Sequence, residues 1–129
     1  MSTPSPRLFP NTVAGVLEAL EMAFGKGIYA DKVVERLLRQ NKKWGSRDRS
    51  FVAEHTYEMV RWWGFLWALL DKDPSTKRKD LQKLFGVYWK WRGYELPDWP
   101  KFDAVRDFDV AAAKKSLTTV AQKESYATW

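Results

Sequence analysis

Apolar residues recur every three or four positions along most of this chain, and no run alternates at period two for long enough to suggest a strand. A first helix is predicted from Asn11 as N-cap, with Val13, Val16, Leu17, Leu20 and Phe24 at helical spacing and a stop at Gly25. A second runs from about Tyr29 to Gln40 on Val33, Val34, Leu37 and Leu38; its other face is basic, and it ends in the polar Asn41-Lys42-Lys43 linker before Gly45. The third segment opens on Ser46 as N-cap, with Asp48 in a first turn where the helix dipole favours an anion. No proline interrupts it before Pro74, so it is predicted to reach about Leu70. On this helix Val52, His55, Thr56, Met59, Val60, Trp62, Trp63, Leu66, Trp67 and Leu70 share one broad arc opposite Glu54, Glu58 and Arg61. An arc that wide marks a helix central to a bundle, and Gly64 within it marks close approach of a neighbour.

A fourth helix is predicted after Pro74-Ser75, with Leu81, Leu84, Phe85 and Tyr88 on one stripe, Trp89 and Trp91 flanking it, and an end near Gly93. The two prolines between Glu95 and Lys101 make that segment an ordered loop, with Trp99 tucked against the bundle. Asp109 or a near neighbour opens a last, Ala-rich helix. The fold class expected is all-α, a bundle of five or more helices. It divides into a floppy terminus over residues 1–10, a helical domain over 11–108 and a C-terminal helix over 109–129. No internal repeat is visible.

At 129 residues the chain holds about one domain, and its 45% apolar and 16% aromatic residues, eight of them Trp, can build a sizeable core. The opening Ser-Thr-Pro-Ser-Pro lacks the basic and apolar regions of a secretion signal, and Trp62–Leu70 is too short to span a bilayer, so a cytoplasmic protein outside the membrane is expected. The net charge of +6 sits in two blocks. From Lys26 to Arg49 eight bases face three acids, with Lys42, Lys43, Arg47 and Arg49 dense among them; from Lys72 to Arg92 seven bases face two acids, with Lys77, Arg78, Lys79 and Lys83 dense. Both blocks can meet phosphates, although charge runs of this size also occur as solvated helix ends.

Little in the chain points to bond-making chemistry. Absence of cysteine excludes disulfides, thiolate metal sites and a cysteine nucleophile within it. Gly25-Lys-Gly27-Ile-Tyr-Ala30 has the spacing of a dinucleotide fingerprint but follows a helix instead of a strand, so it reads as a helix stop and restart. His55, the only histidine, lies on the apolar arc without a metal-ligand or nucleophile partner at useful spacing and reads as a hydrogen-bonded core residue; no metal site is expected. Tyr88-Trp-Lys-Trp-Arg92 alternates aromatic and basic residues as single-strand RNA binders do, but helical geometry turns its rings toward the core and leaves only Lys90 and Arg92 for phosphates.

Tyr29-Ala-Asp-Lys-Val-Val-Glu-Arg-Leu-Leu38 and the stretch Trp44-Gly-Ser-Arg-Asp-Arg-Ser-Phe-Val-Ala-Glu-His-Thr-Tyr-Glu-Met-Val-Arg-Trp-Trp63 resemble the NusB-like N-terminal domain of the RsmB/Nop family of ribosomal RNA cytosine-C5 methyltransferases. The likeness is most specific at Ser46-Arg-Asp-Arg49 and Tyr57-Glu-Met-Val-Arg61, covers residues 8–70 well, and returns at Glu124-Ser-Tyr-Ala-Thr-Trp129, similar to the family's stretch leading into its methyltransferase domain. It implies a NusB-like bundle joined to a catalytic half that binds S-adenosylmethionine on a Rossmann-like sheet and attacks cytosine C6 with a cysteine. This chain, without cysteine, is then expected to hold neither the cofactor nor an activity of its own. NusB proteins carry RNA-binding arginines on their first helix, whereas Asn11–Phe24 has no base here.

Two functions follow as expectations. The first is an accessory domain that grips ribosomal RNA for its own linked methyltransferase domain, through Lys42, Lys43, Arg47, Arg49, Lys77, Arg78, Lys79 and Lys83. The second is a protein-interaction or structural module, for which eight Trp make an exposed aromatic patch plausible. An independent enzyme finds no catalytic constellation to rest on.

Overall fold

Proline at a first helical position loses nothing, because the missing N–H would lack a partner there anyway, and Pro10 begins α1 (Pro10–Leu20) in this way. A computed structural model describes residues 5–117, and among these the chain is helical without a strand. After α1 comes a π-turn, Glu21–Gly25, then α2 (Ala30–Gln40), α3 (Ser46–Arg61), α4 (Trp63–Leu70), α5 (Arg78–Trp91), a 3-10 helix (Pro100–Val105) and α6 (Val110–Ser116). Each boundary has a local cause. Gly27, at φ 68°, turns the chain between the π-turn and α2, so Gly25–Ala30 is a helix stop and restart. Asp109 caps α6 by accepting from the Ala112 N–H at 3.0 Å. Among the described residues no helix is long and apolar enough to cross a membrane. The expected likeness at Glu124–Trp129 lies outside the described residues.

Several expectations from the pattern are corrected. The cap of α3 is the Gly45 carbonyl, which accepts from the Arg49 N–H at 3.0 Å, so Ser46 is the first helical residue and not the cap. The long third helix is two helices. Trp62, at φ −102° and ψ 19°, leaves helical geometry for one residue before the hydrogen-bond ladder resumes with Leu66 N–H donating to the Trp62 carbonyl at 2.8 Å. Gly64 beside it lowers the cost of the bend. The kink turns Trp63 face to face with Phe24, ring centroids 3.8 Å apart, and buries Phe65 and Leu69, which lie off the predicted arc. Residues 5–9 are less loose than a floppy terminus implies: Leu8 is buried, and the Ser5 hydroxyl accepts from the Glu95 N–H at 2.8 Å.

The helix most deeply enclosed is α5 rather than α3. Leu84, Phe85, Gly86, Val87, Tyr88 and Trp89 are consecutive and all buried, which accounts for more than a full turn and therefore for the whole circumference. One large core cluster joins α1, α3, α4, α5 and the 3-10 helix; a smaller one, Ala19, Met22, Val33 and Leu37, seats α2 on α1. Close approach to α5 occurs at Gly86, where an added Cβ would stand 2.5 Å from Val105 Cγ2 and 3.4 Å from Phe102 Cδ1. Gly86→Ala is expected to lower stability by about 1–3 kcal/mol through overpacking. Urea unfolding checks this, and Val105→Ala in the same chain should return part of the loss by vacating the space.

Candidate nucleic-acid interface

The dense part of the first basic block spans the turn between α2 and α3 and the first turn of α3. Lys42, Lys43 and Arg47 are exposed there, and none of the three forms an ion pair among the described residues. The fourth member, Arg49, is half-buried and donates from Nη1 to the Leu38 carbonyl at 3.1 Å, so its guanidinium closes the last turn of α2. Exposed Lys32, Arg36 and Arg39 lie on one stripe of α2, the helix that leads into this turn, although Arg39 is paired with Glu35 at 2.5 Å. That stripe is the basic face read from the sequence.

The second block lies elsewhere. Arg78 donates to Glu21 at 2.5 Å and so sits against the π-turn after α1, whereas Arg47 and Thr12 line one cavity at the start of α1. Along α1, Thr12 and Glu21 are about 14 Å apart. The dense cluster around Arg47 and that around Arg78 therefore stand at opposite ends of α1. Lys77 and Lys79 are exposed at the N-terminus of α5, Lys83 is half-buried one turn on, and neighbouring Lys72 is held by Asp80 at 2.7 Å.

The aromatic and basic run at the end of α5 is structural. Tyr88 and Trp89 are fully buried, and the Trp89 ring stacks on Phe85 with centroids 5.7 Å apart. Lys90 and Arg92, the two residues left for phosphates by the helical pattern, are engaged with the chain itself. The Lys90 ammonium donates to the carbonyls of Val105, Arg106 and Phe108 at 3.3, 2.8 and 2.5 Å, which ties the 3-10 helix to α5. Arg92 donates to the Tyr88 hydroxyl at 3.1 Å and lies over the Tyr94 ring. Sequence could not show this, because the carbonyl partners lie 15 or more residues away.

His55 is the hydrogen-bonded core histidine that its position on the arc implied. Its Nδ1 is 2.6 Å from the Tyr88 hydroxyl. The Glu54 carboxylate, which only accepts, stands 3.3 Å from Nε2, so Nε2 carries the proton and Nδ1 accepts from the Tyr88 hydroxyl, which itself accepts from Arg92. Burial first, and the Arg92 charge second, lower the His55 pKa to about 4. The Glu54 carboxylate is 60% exposed and too well hydrated to reverse this. Burial pushes the Tyr88 phenol up, so it stays protonated. A neutral His55 is an acceptor that locks α3 to α5. Among the described residues no group of three or more acids or histidines could hold a metal ion.

One cavity joins two segments that lie far apart in the sequence. Arg7, Phe9 and Thr12 meet Arg47, Asp48 and Phe51 around a cavity of about 370 Å³ between the N-terminal segment and the start of α3. Some 40 residues separate the two sides in sequence, and no spacing rule links them. With this geometry in hand, comparison with known protein families, curated proteins and solved structures finds no match to the chain.

Two measurements check the assignments of Lys90 and His55. Lys90→Met is expected to cost about 1.5–3 kcal/mol of stability through lost charge-assisted hydrogen bonds, with faster amide exchange over residues 100–109. For His55, the unfolded chain takes up a proton below about pH 6.5 while the folded chain refuses one until about pH 4. Stability should therefore fall with falling pH across that window, by up to about 1.4 kcal/mol per pH unit. His55→Asn keeps an acceptor for Tyr88 without titrating, and urea unfolding of this variant should lack that slope.

Proposed function

We propose that this chain is a NusB-like RNA-binding domain that helps a covalently linked cytosine-C5 methyltransferase grip ribosomal RNA in the cytoplasm. The observation that carries the reading is the exposed trio Lys42, Lys43 and Arg47 at the α2–α3 turn, with no ion pair among the described residues. Cations already paired with carboxylates gain little from a phosphate, whereas unpaired ones release condensed counterions when they meet it. Lys77 and Lys79, at the other end of α1, provide a second set of contacts for an RNA long enough to reach both. Arg49 and Arg78 support this surface through the Leu38 carbonyl and Glu21. Contacts of this kind follow RNA shape and backbone more than sequence.

The cofactor belongs elsewhere in this reading. S-adenosylmethionine on a Rossmann-like sheet needs a strand leading into a glycine turn and a helix, and the described residues contain no strand, so they do not fit it. The alternative, a protein-interaction module built on an exposed aromatic patch, has less support. All seven tryptophans among the described residues are buried or half-buried, and the exposed large apolar side chains there are Phe9, Tyr29 and Tyr57.

The test is binding of the chain to a fluorescent ribosomal RNA hairpin and to an unrelated hairpin from about 50 to 200 mM salt. Lys42→Glu, Lys43→Glu and Arg47→Glu together should weaken binding and reduce the log–log salt slope by about 2. Unchanged affinity and slope would remove this surface from the assignment.

A further inference from the structure

We infer that the cavity between the N-terminal segment and the start of α3 is a pocket for one unpaired guanine nucleotide of a bound RNA, a reading that rests on the RNA-binding function proposed above. An RNA base can enter a protein cavity only when it is unstacked and splayed out, and it then needs a flat apolar surface, a cation for its phosphate and a polar group for its edge. All three line this cavity of about 370 Å³.

The flat surface is Phe9, which is 41% exposed although it is a large apolar side chain. The Arg7 guanidinium lies 5.2 Å from its ring centroid. A cation–π contact at an exposed site is weak, and a stacked base is worth more, so a base takes Arg7's place on the ring and frees the guanidinium for the phosphate. Arg47 lines the opposite side from the first turn of α3 and offers a second donor fork to the same anion. Phe51 forms the inner wall. Its ring packs against His55 with centroids 4.4 Å apart, so the wall is anchored in the core and does not collapse into the opening.

The base edge meets Asp48. Asp48 lines the cavity, and its carboxylate forms no ion pair among the described residues. A carboxylate only accepts hydrogen bonds, and it accepts two at once from a base with adjacent donors. Guanine presents N1–H and N2–H side by side on its Watson–Crick edge; adenine and cytosine present one amino group next to an acceptor, which the second carboxylate oxygen repels. Arg47 thus belongs both to the exposed trio and to the pocket, which places a backbone grip and a base pocket side by side.

The experiment is a titration of the isotope-labelled full chain with GMP, AMP and UMP, followed by amide shifts, together with fluorescence binding of an oligouridine carrying one central guanine and of the same oligouridine without it. GMP should move amides at Arg7–Thr12 and Arg47–Phe51 more than AMP or UMP does, and the guanine should tighten oligonucleotide binding by about 10-fold. Phe9→Ala, at an exposed position that leaves the core intact, should remove most of that gain, while Asp48→Asn should abolish the preference for GMP over AMP. Hairpin binding that depends on Lys42, Lys43 and Arg47 but shows no guanine preference and no change in Phe9→Ala would overturn the pocket and leave the grip standing. GMP shifts at the pocket without hairpin binding would support the pocket and overturn the grip.

Discussion

Burying a helix over its entire circumference obliges the rest of the chain to envelop it, and α5 imposes that requirement through six consecutive buried residues, Leu84–Trp89. Helices on one side cannot meet it. The kinked pair α3 and α4 supplies aromatic contacts from Phe51, His55, Trp62 and Phe65, and the 3-10 helix closes the remaining side over Gly86. A polar anchor sets the register of this packing. The His55–Tyr88 hydrogen bond joins α3 to α5 inside an apolar surround, where an unpaired hydroxyl or imidazole nitrogen would be costly, so only one relative placement of the two helices satisfies both groups.

The same requirement divides the cations into two populations. Where the 3-10 helix ends over α5, the carbonyls of Val105, Arg106 and Phe108 turn inward, and Lys90 satisfies all three. Arg106 does the same for the preceding loop, donating to the Pro97 and Trp99 carbonyls at 3.1 and 3.0 Å. Arg49 closes α2, and Arg92 caps the polar chain that begins at His55. Four cations of a chain with net charge +6 are thus structural ligands of carbonyl or hydroxyl oxygen, even though in sequence they look like any other basic residue. Lys42, Lys43 and Arg47 beside the α2–α3 turn are of the other kind, exposed and without an ion pair among the described residues.

The placement of that turn also explains why charge and cavity coincide. Trp44 packs on α1 at Gly15, where an added Cβ would be 2.8 Å from Trp44 Cη2, and this contact draws the start of α3 against the start of α1. Arg47 and Asp48 consequently face Arg7 and Phe9 across a cavity. A buried glycine that leaves room for Trp44 therefore helps to position groups at the surface.

Periodicity alone determined the all-α class, the faces of α1 and α2, the burial of His55 and the inward turn of Tyr88 and Trp89, because each depends on neighbours three or four residues away. Composition alone determined that neither a thiolate site nor a disulfide is present. The tertiary structure decided the rest. It broke the long third helix at Trp62, made α5 the enclosed helix, moved the α3 cap to Gly45, assigned Lys90 and Arg92 to the chain itself, and set the clusters around Arg47 and Arg78 at opposite ends of α1. Each of these rests on partners distant in sequence, and a periodic pattern records which face a residue occupies but not which segment will come to cover it.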